Sequence, residues 1–70
     1  MTTLREMLDH YQTSINMMDQ HATMLETGKM RMSESTPDGG MIDISAKWAT
    51  TLRKRISELE DIIKASQPYL

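Results

Sequence analysis

Cysteine is absent from this 70-residue chain, which excludes disulfides as a source of stability and makes a zinc site implausible. Long apolar runs are missing too. No stretch exceeds two residues, as at Met17-Met18 and Ile62-Ile63, far short of a membrane span or a signal-peptide core. The chain is therefore expected to stay in the cytosol where it is made, a compartment with which the lack of cysteine agrees. Charge of one sign is scarce as well: the net charge is −2, with three basic and five acidic groups in residues 1–35 and five of each in residues 36–70. No strong field draws such a chain to nucleic acid or to an anionic membrane.

Length sets a further bound. Seventy residues make one domain, and a chain this short buries only about 60% of the surface that its unfolded form exposes. Natural domains of this size add disulfides, a metal or oligomerisation to a small core. With the first two set aside, oligomerisation remains.

What is present is strong helical patterning. Leu4, Leu8, Tyr11, Ile15, Met18, Ala22 and Leu25 alternate spacings of four and three and keep one stripe on one helix face. Thr3 followed by Glu6 has the form of a capping box, and Gly28 supplies a left-handed stop. The helix so bounded, about residues 3–27, is roughly 36 Å long at 1.5 Å per residue. Ser45 is the expected N-cap of a second helix, about residues 45–65, whose stripe is Trp48, Ala49, Leu52, Ile56, Leu59 and Ile63. Pro68 stops it, leaving a short apolar tail, Gln67-Pro68-Tyr69-Leu70.

Between the helices the period changes. Residues 29–34 alternate, Pro37-Asp38-Gly39-Gly40 is a turn signal, and Met41-Ile42-Asp43-Ile44 leads away from it. A two-stranded hairpin over about residues 29–44 follows, with a disordered loop as the alternative. Met30 and Met32 would share a face of the first strand, Ile42 and Ile44 a face of the second. Because an isolated hairpin is marginal in water, that face should pack on the helices. The expected class is α+β: two helices packed antiparallel, with the hairpin against them.

The chemistry-bearing residues do not converge. His10 and His21 return to one helix face but roughly 16 Å apart, too far for one metal ion. Asp9 and Asp19 lie near them without a nucleophile, a phosphate loop or a paired acid, so no enzyme and no cofactor is expected. Arg53, Lys54 and Arg55, with Lys47 before them, form a basic cluster, but Glu58, Glu60 and Asp61 follow directly. Pairing of Arg53 and Lys54 with Glu58 and Asp61 would make this a solvated, salt-bridged face, with a nucleic-acid site as the alternative. Eight methionines is a high count, of which initiation accounts for Met1. Met18 fits the core stripe, whereas Met7, Met17 and Met24 broaden the apolar face beyond what one partner helix needs and are candidates for a subunit interface, together with Arg53, Lys54 and Arg55.

One segment carries a family pattern. Thr27-Gly28-Lys29 closes a helix, Asp38-Gly39 turns a hairpin, Ile42 and Ile44 alternate on its return strand, and Leu52, Ile56 and Glu58-Leu59-Glu60 mark the closing helix. This order and spacing resembles the head-to-tail joining (head completion) protein W family of lambda-like tailed phages, whose fold is two helices and a β-hairpin. The resemblance covers about half the chain, Thr27 to Glu60. The first helix is about two turns longer here and the hairpin one residue longer, and of the family's extended C-terminal tail only Gln67 to Leu70 has a counterpart.

The resemblance implies a virion protein of the phage neck, made in the host cytoplasm. It would assemble with itself as a ring beneath the portal protein after DNA packaging, help retain the genome, and present a platform for the next connector or tail protein. Packaged DNA would lie close by without sequence-specific contact, and no membrane is involved. Pro68, Tyr69 and Leu70 are then expected to form an anchor that docks into a neighbouring ring, the portal being the expected one. Two other readings compete: a phage-encoded inhibitor binding a host enzyme through the methionine-rich face, and a nucleic-acid-binding regulator using Lys47, Arg53, Lys54 and Arg55.

Overall fold

A computed structural model describes residues 2–70. Helix α1 spans Leu4–Glu26, strand β1 Ser33–Ser35, strand β2 Met41–Asp43 and helix α2 Ser45–Ser66, and a 3-10 turn follows over Gln67–Tyr69. The class is α+β, as the patterning led one to expect, with α1 and α2 packed side by side. They run antiparallel. Arg5 and Leu8 near the start of α1 share a hollow with Ile63 and Gln67 near the end of α2, while Arg53 reaches Glu26 at the other end.

The start of α1 is set by Thr3, whose hydroxyl accepts the Glu6 N–H at 3.1 Å. Its end is set by Gly28 at φ +79°, after which the Met30 N–H turns back to the Met24 carbonyl at 3.1 Å. The buried apolar residues of the two helices are Leu8, Ile15, Ala22 and Leu25 on α1 and Ala49, Leu52 and Ile56 on α2. They concentrate toward the hairpin end, where Ala22, Leu25, Ala49 and Leu52 form one cluster with Met18, Met30 and Met32 packed against it.

The hairpin differs from expectation in how it meets the helices. The ladder pairs Ser33 with Asp43, Glu34 with Ile42 and Ser35 with Met41, and every residue in both strands is exposed. Met30 and Met32 precede β1, and they reach the core from the hairpin's base. Ile42, expected to face inward, is 55% exposed. The reason is the base itself, which anchors the hairpin before the strands begin. The Ile44 N–H donates to the Met32 carbonyl at 2.9 Å, and the Met32 N–H donates to the Ser45 hydroxyl at 2.8 Å. At the tip the Gly39 N–H donates to the Thr36 carbonyl at 3.0 Å, with Pro37 second in the turn and Gly39 at φ +87°.

One further expectation is corrected. Ser45 is not an N-cap: Ile44 holds that place, and Ser45 is the first helical residue, 1% exposed, with its hydroxyl spent on the hairpin. The bond that resembles a cap comes from Asp43, whose Oδ1 accepts the Ser45 N–H at 2.8 Å. Pro68 does mark the stop of α2, which ends at Ser66. It sits in the opening positions of the 3-10 turn, where its missing N–H costs nothing, and the Leu70 N–H closes the turn on the Gln67 carbonyl at 3.2 Å.

Candidate functional site

The two sides of the helix pair are built from different chemistry. On one side Arg53 of α2 crosses to α1. Its Nη1 donates to the Asp19 carboxylate, its Nη2 to Glu26 Oε1 at 2.8 Å and to the Thr23 hydroxyl at 3.2 Å, and its Nε to Glu26 Oε2 at 3.2 Å. Asp19, Thr23 and Glu26 succeed one another by four and three residues and so form one row along α1. The Arg53 hydrogen bond holds the Glu26 carboxyl below its ordinary range, and the two carboxylates in turn raise the guanidinium. This replaces the expected pairing of Arg53 with Glu58 or Asp61 on its own helix. Among the described residues the remaining close ion pair is Arg31 with Asp43, 3.3 Å apart at the hairpin base. Hydrogen bonds from Ser45 hold the Asp43 carboxyl low, with a smaller contribution from Arg31.

The other side is an open groove. Its apolar lining is Tyr11, Met17 and Met18 from α1 and Leu59 and Ile62 from α2, and Ser14, His21, Arg55 and Glu58 form its polar edge. Met17 is 55% exposed and Ile62 44%. Met7 lies one turn before Tyr11 on α1. On α2, Trp48, Arg55 and Ile62 recur every seven residues, and Trp48 is exposed, not buried in the core stripe as its spacing suggested. Of the three methionines singled out in the sequence, Met17 lines the groove, whereas Met24 borders a separate hollow with Asp19 and Thr23 of the ion-paired row.

The rest of the candidate residues do not join that flank as one site. Arg55 borders the groove, Arg53 is on the opposite side, and Lys54 is exposed between them. Engagement of Arg53 by two carboxylates takes it out of the basic cluster and counts against a phosphate-binding role. Pro68 and Tyr69 are exposed at the far end, while Leu70 turns back toward a hollow shared with Arg5, Leu8 and Ile63. His10 is exposed and His21 borders the groove, and among the described residues no group of three or more His, Cys, Asp or Glu could hold a metal ion. No helix among the described residues is long and apolar enough to cross a membrane.

Fold and surface together define a helix–hairpin–helix protein with one ion-paired flank and one apolar flank. Comparison with known protein families, with curated proteins and with solved structures gives no match.

Proposed function

We propose that this chain is a structural subunit of a tailed-phage neck, a head-completion adaptor that assembles as a ring under the portal, helps retain packaged DNA and provides the attachment site for the next connector or tail protein. The observation that carries the reading is the order and spacing of elements from Thr27 to Glu60: a glycine-stopped helix, a hairpin turned at Asp38-Gly39 and a closing helix with Glu58-Leu59-Glu60. The balance of apolar surface supports an assembling subunit. Among the described residues nine large apolar side chains are exposed, whereas the buried apolar set numbers seven and includes two alanines. Such a monomer is poorly buried, and contact with other subunits relieves that.

Deletion of the gene from its own genome tests the proposal. DNA-filled heads without tails should accumulate, and purified protein added to them should restore joining; a normal yield of tailed particles from the deletion would refute it. The tail has its own test. Truncation after Ser66 should leave the helical circular-dichroism signal in place and abolish joining, and infectious particles made with the truncated chain would remove Pro68, Tyr69 and Leu70 from the portal contact. A second reading, an inhibitor that docks on a host enzyme, draws on Met17 and Met18 in the groove, since methionine makes adaptable contact surfaces. It requires normal particles from the deletion and a host enzyme whose activity falls when the purified chain is added.

A further inference from the structure

The chain exposes more surface than its mass requires. A compact chain of 8.1 kDa should expose about 4,500 Å², and this one exposes 5503 Å². Its radius of gyration is 15.9 Å, where about 11 Å is expected for 70 residues, and its extents are 51 × 25 × 17 Å. The excess of about 1,000 Å² compares with about 800 Å² that each partner buries in a stable protein pair. A single further contact of ordinary size would bring the molecule to normal burial.

The flank that offers this contact is the one holding the groove. Of the exposed large side chains Met17 and Ile62 line it, and Trp48 follows on the same row of α2 as Arg55 and Ile62. The other side carries the hydrogen-bonded row of Asp19, Thr23, Glu26 and Arg53, with Met24 at its edge. Packing the apolar flank of one copy against the opposite side of the next would therefore set methionines on ion pairs. A second copy of the flank sets apolar surface on apolar surface. Its edge charges fit that arrangement too, because Arg55 and Glu58 stand one turn apart on α2 and border the same groove. Under a two-fold axis Arg55 of each copy meets Glu58 of the other, and the groove carries no excess of either sign that would select a charged foreign partner.

We propose that a second copy of this chain covers the groove lined by Tyr11, Met17, Met18, Leu59 and Ile62, the two copies related by a two-fold axis as a four-helix arrangement. A two-fold contact closes on itself and cannot be the contact of a ring. The pair is therefore a contact distinct from the one that would build a ring.

Sedimentation of the purified chain tests this directly. The wild-type protein should pass from 8.1 kDa to twice that mass as concentration rises. Arg55→Glu and Glu58→Arg each place like charges in both halves of the pair, so each should weaken it by about tenfold. An equimolar mixture of the two variants should restore wild-type affinity, because each then meets its complement. Both positions are exposed, and circular dichroism should show both variants folded. A wild-type chain that stays at 8.1 kDa at every concentration overturns the proposal, as does a pair indifferent to both variants and to their mixing. If the wild type is monomeric and Ile62→Glu still blocks head–tail joining, the flank belongs to a different partner, and the pair is refuted while the neck reading stands.

Discussion

Replacing Ser45 by alanine removes the hydroxyl that accepts the Met32 N–H at 2.8 Å and joins the hairpin's base to the first turn of α2. The serine is 1% exposed, so water cannot simply take its place at the side chain. An unsatisfied buried donor costs about 1–3 kcal/mol, and because the bond is only part-buried on the Met32 side the expected loss is about 1–2 kcal/mol. For a domain this small that corresponds to a fall in Tm of about 4–16 °C. Thermal and urea unfolding followed by circular dichroism measure it, and amide exchange at Met32 localises it. A second substitution separates this role from capping. Ser45→Asp would be tolerated at an ordinary N-cap, where aspartate and serine are equivalent. Here it forces a carboxylate into a buried site beside Asp43, whose own carboxylate already accepts the Ser45 N–H at 2.8 Å, so it should destabilise more than alanine does. If Ser45→Asp is as stable as wild type, or if Ser45→Ala leaves the Met32 amide protected, the reasoning fails.

Leu52→Ala empties the middle of the buried cluster and should cost about 2–5 kcal/mol, against a total of about 4–10 kcal/mol for a 70-residue domain, so unfolding curves should show a markedly destabilised or partly unfolded protein. Gly39→Ala meets no atom within 4 Å but must hold φ +87°, so the cost is purely conformational, about 1 kcal/mol, read as a small Tm decrease with the helical signal unchanged. The Glu26 carboxyl titrates lower in the folded chain than its ordinary 4.5 because Arg53 bonds to its charged form. Its contribution to stability is therefore present above that pH and lost as pH falls through the folded value, and the decline on acidification should flatten in Arg53→Gln. Equal pH dependence in the two proteins would show that the pair does not contribute.

The helices were legible because their signals are local: a four-three stripe, a threonine three residues before Glu6, and a glycine past the last turn. The turn at Pro37-Asp38-Gly39 was legible for the same reason. The extent of β1 was not, since the alternation from Lys29 to Glu34 reads equally as strand and as an extended approach to one. Three-dimensional packing decided that Met30 and Met32 belong to the core and the strands to solvent. The partners of Arg53 were missed because helical spacing rules see only neighbours on the same helix, and Asp19 and Glu26 lie 34 and 27 residues away. A row of Asp19, Thr23 and Glu26 on α1 was the available signal. On the apolar flank the α1 half was visible as surplus methionines, but its α2 half, Trp48 to Ile62, became part of one surface only through the antiparallel pairing.

The uneven distribution of buried side chains along the helix pair has a dynamic consequence. Ala22, Leu25, Ala49 and Leu52 gather at the hairpin end, whereas toward the other end the buried positions thin to Leu8 alone. Opening free energies should fall in the same direction, so the first turns of α1 and the last turns of α2 exchange their amides together and earliest, without disturbing the hairpin. The molecule should unzip first from the end that carries Tyr69 and Leu70. In the neck reading proposed above, those two residues would then be presented to a neighbour on a loosened pair of helix ends at little energetic cost, while the hairpin end stays shut.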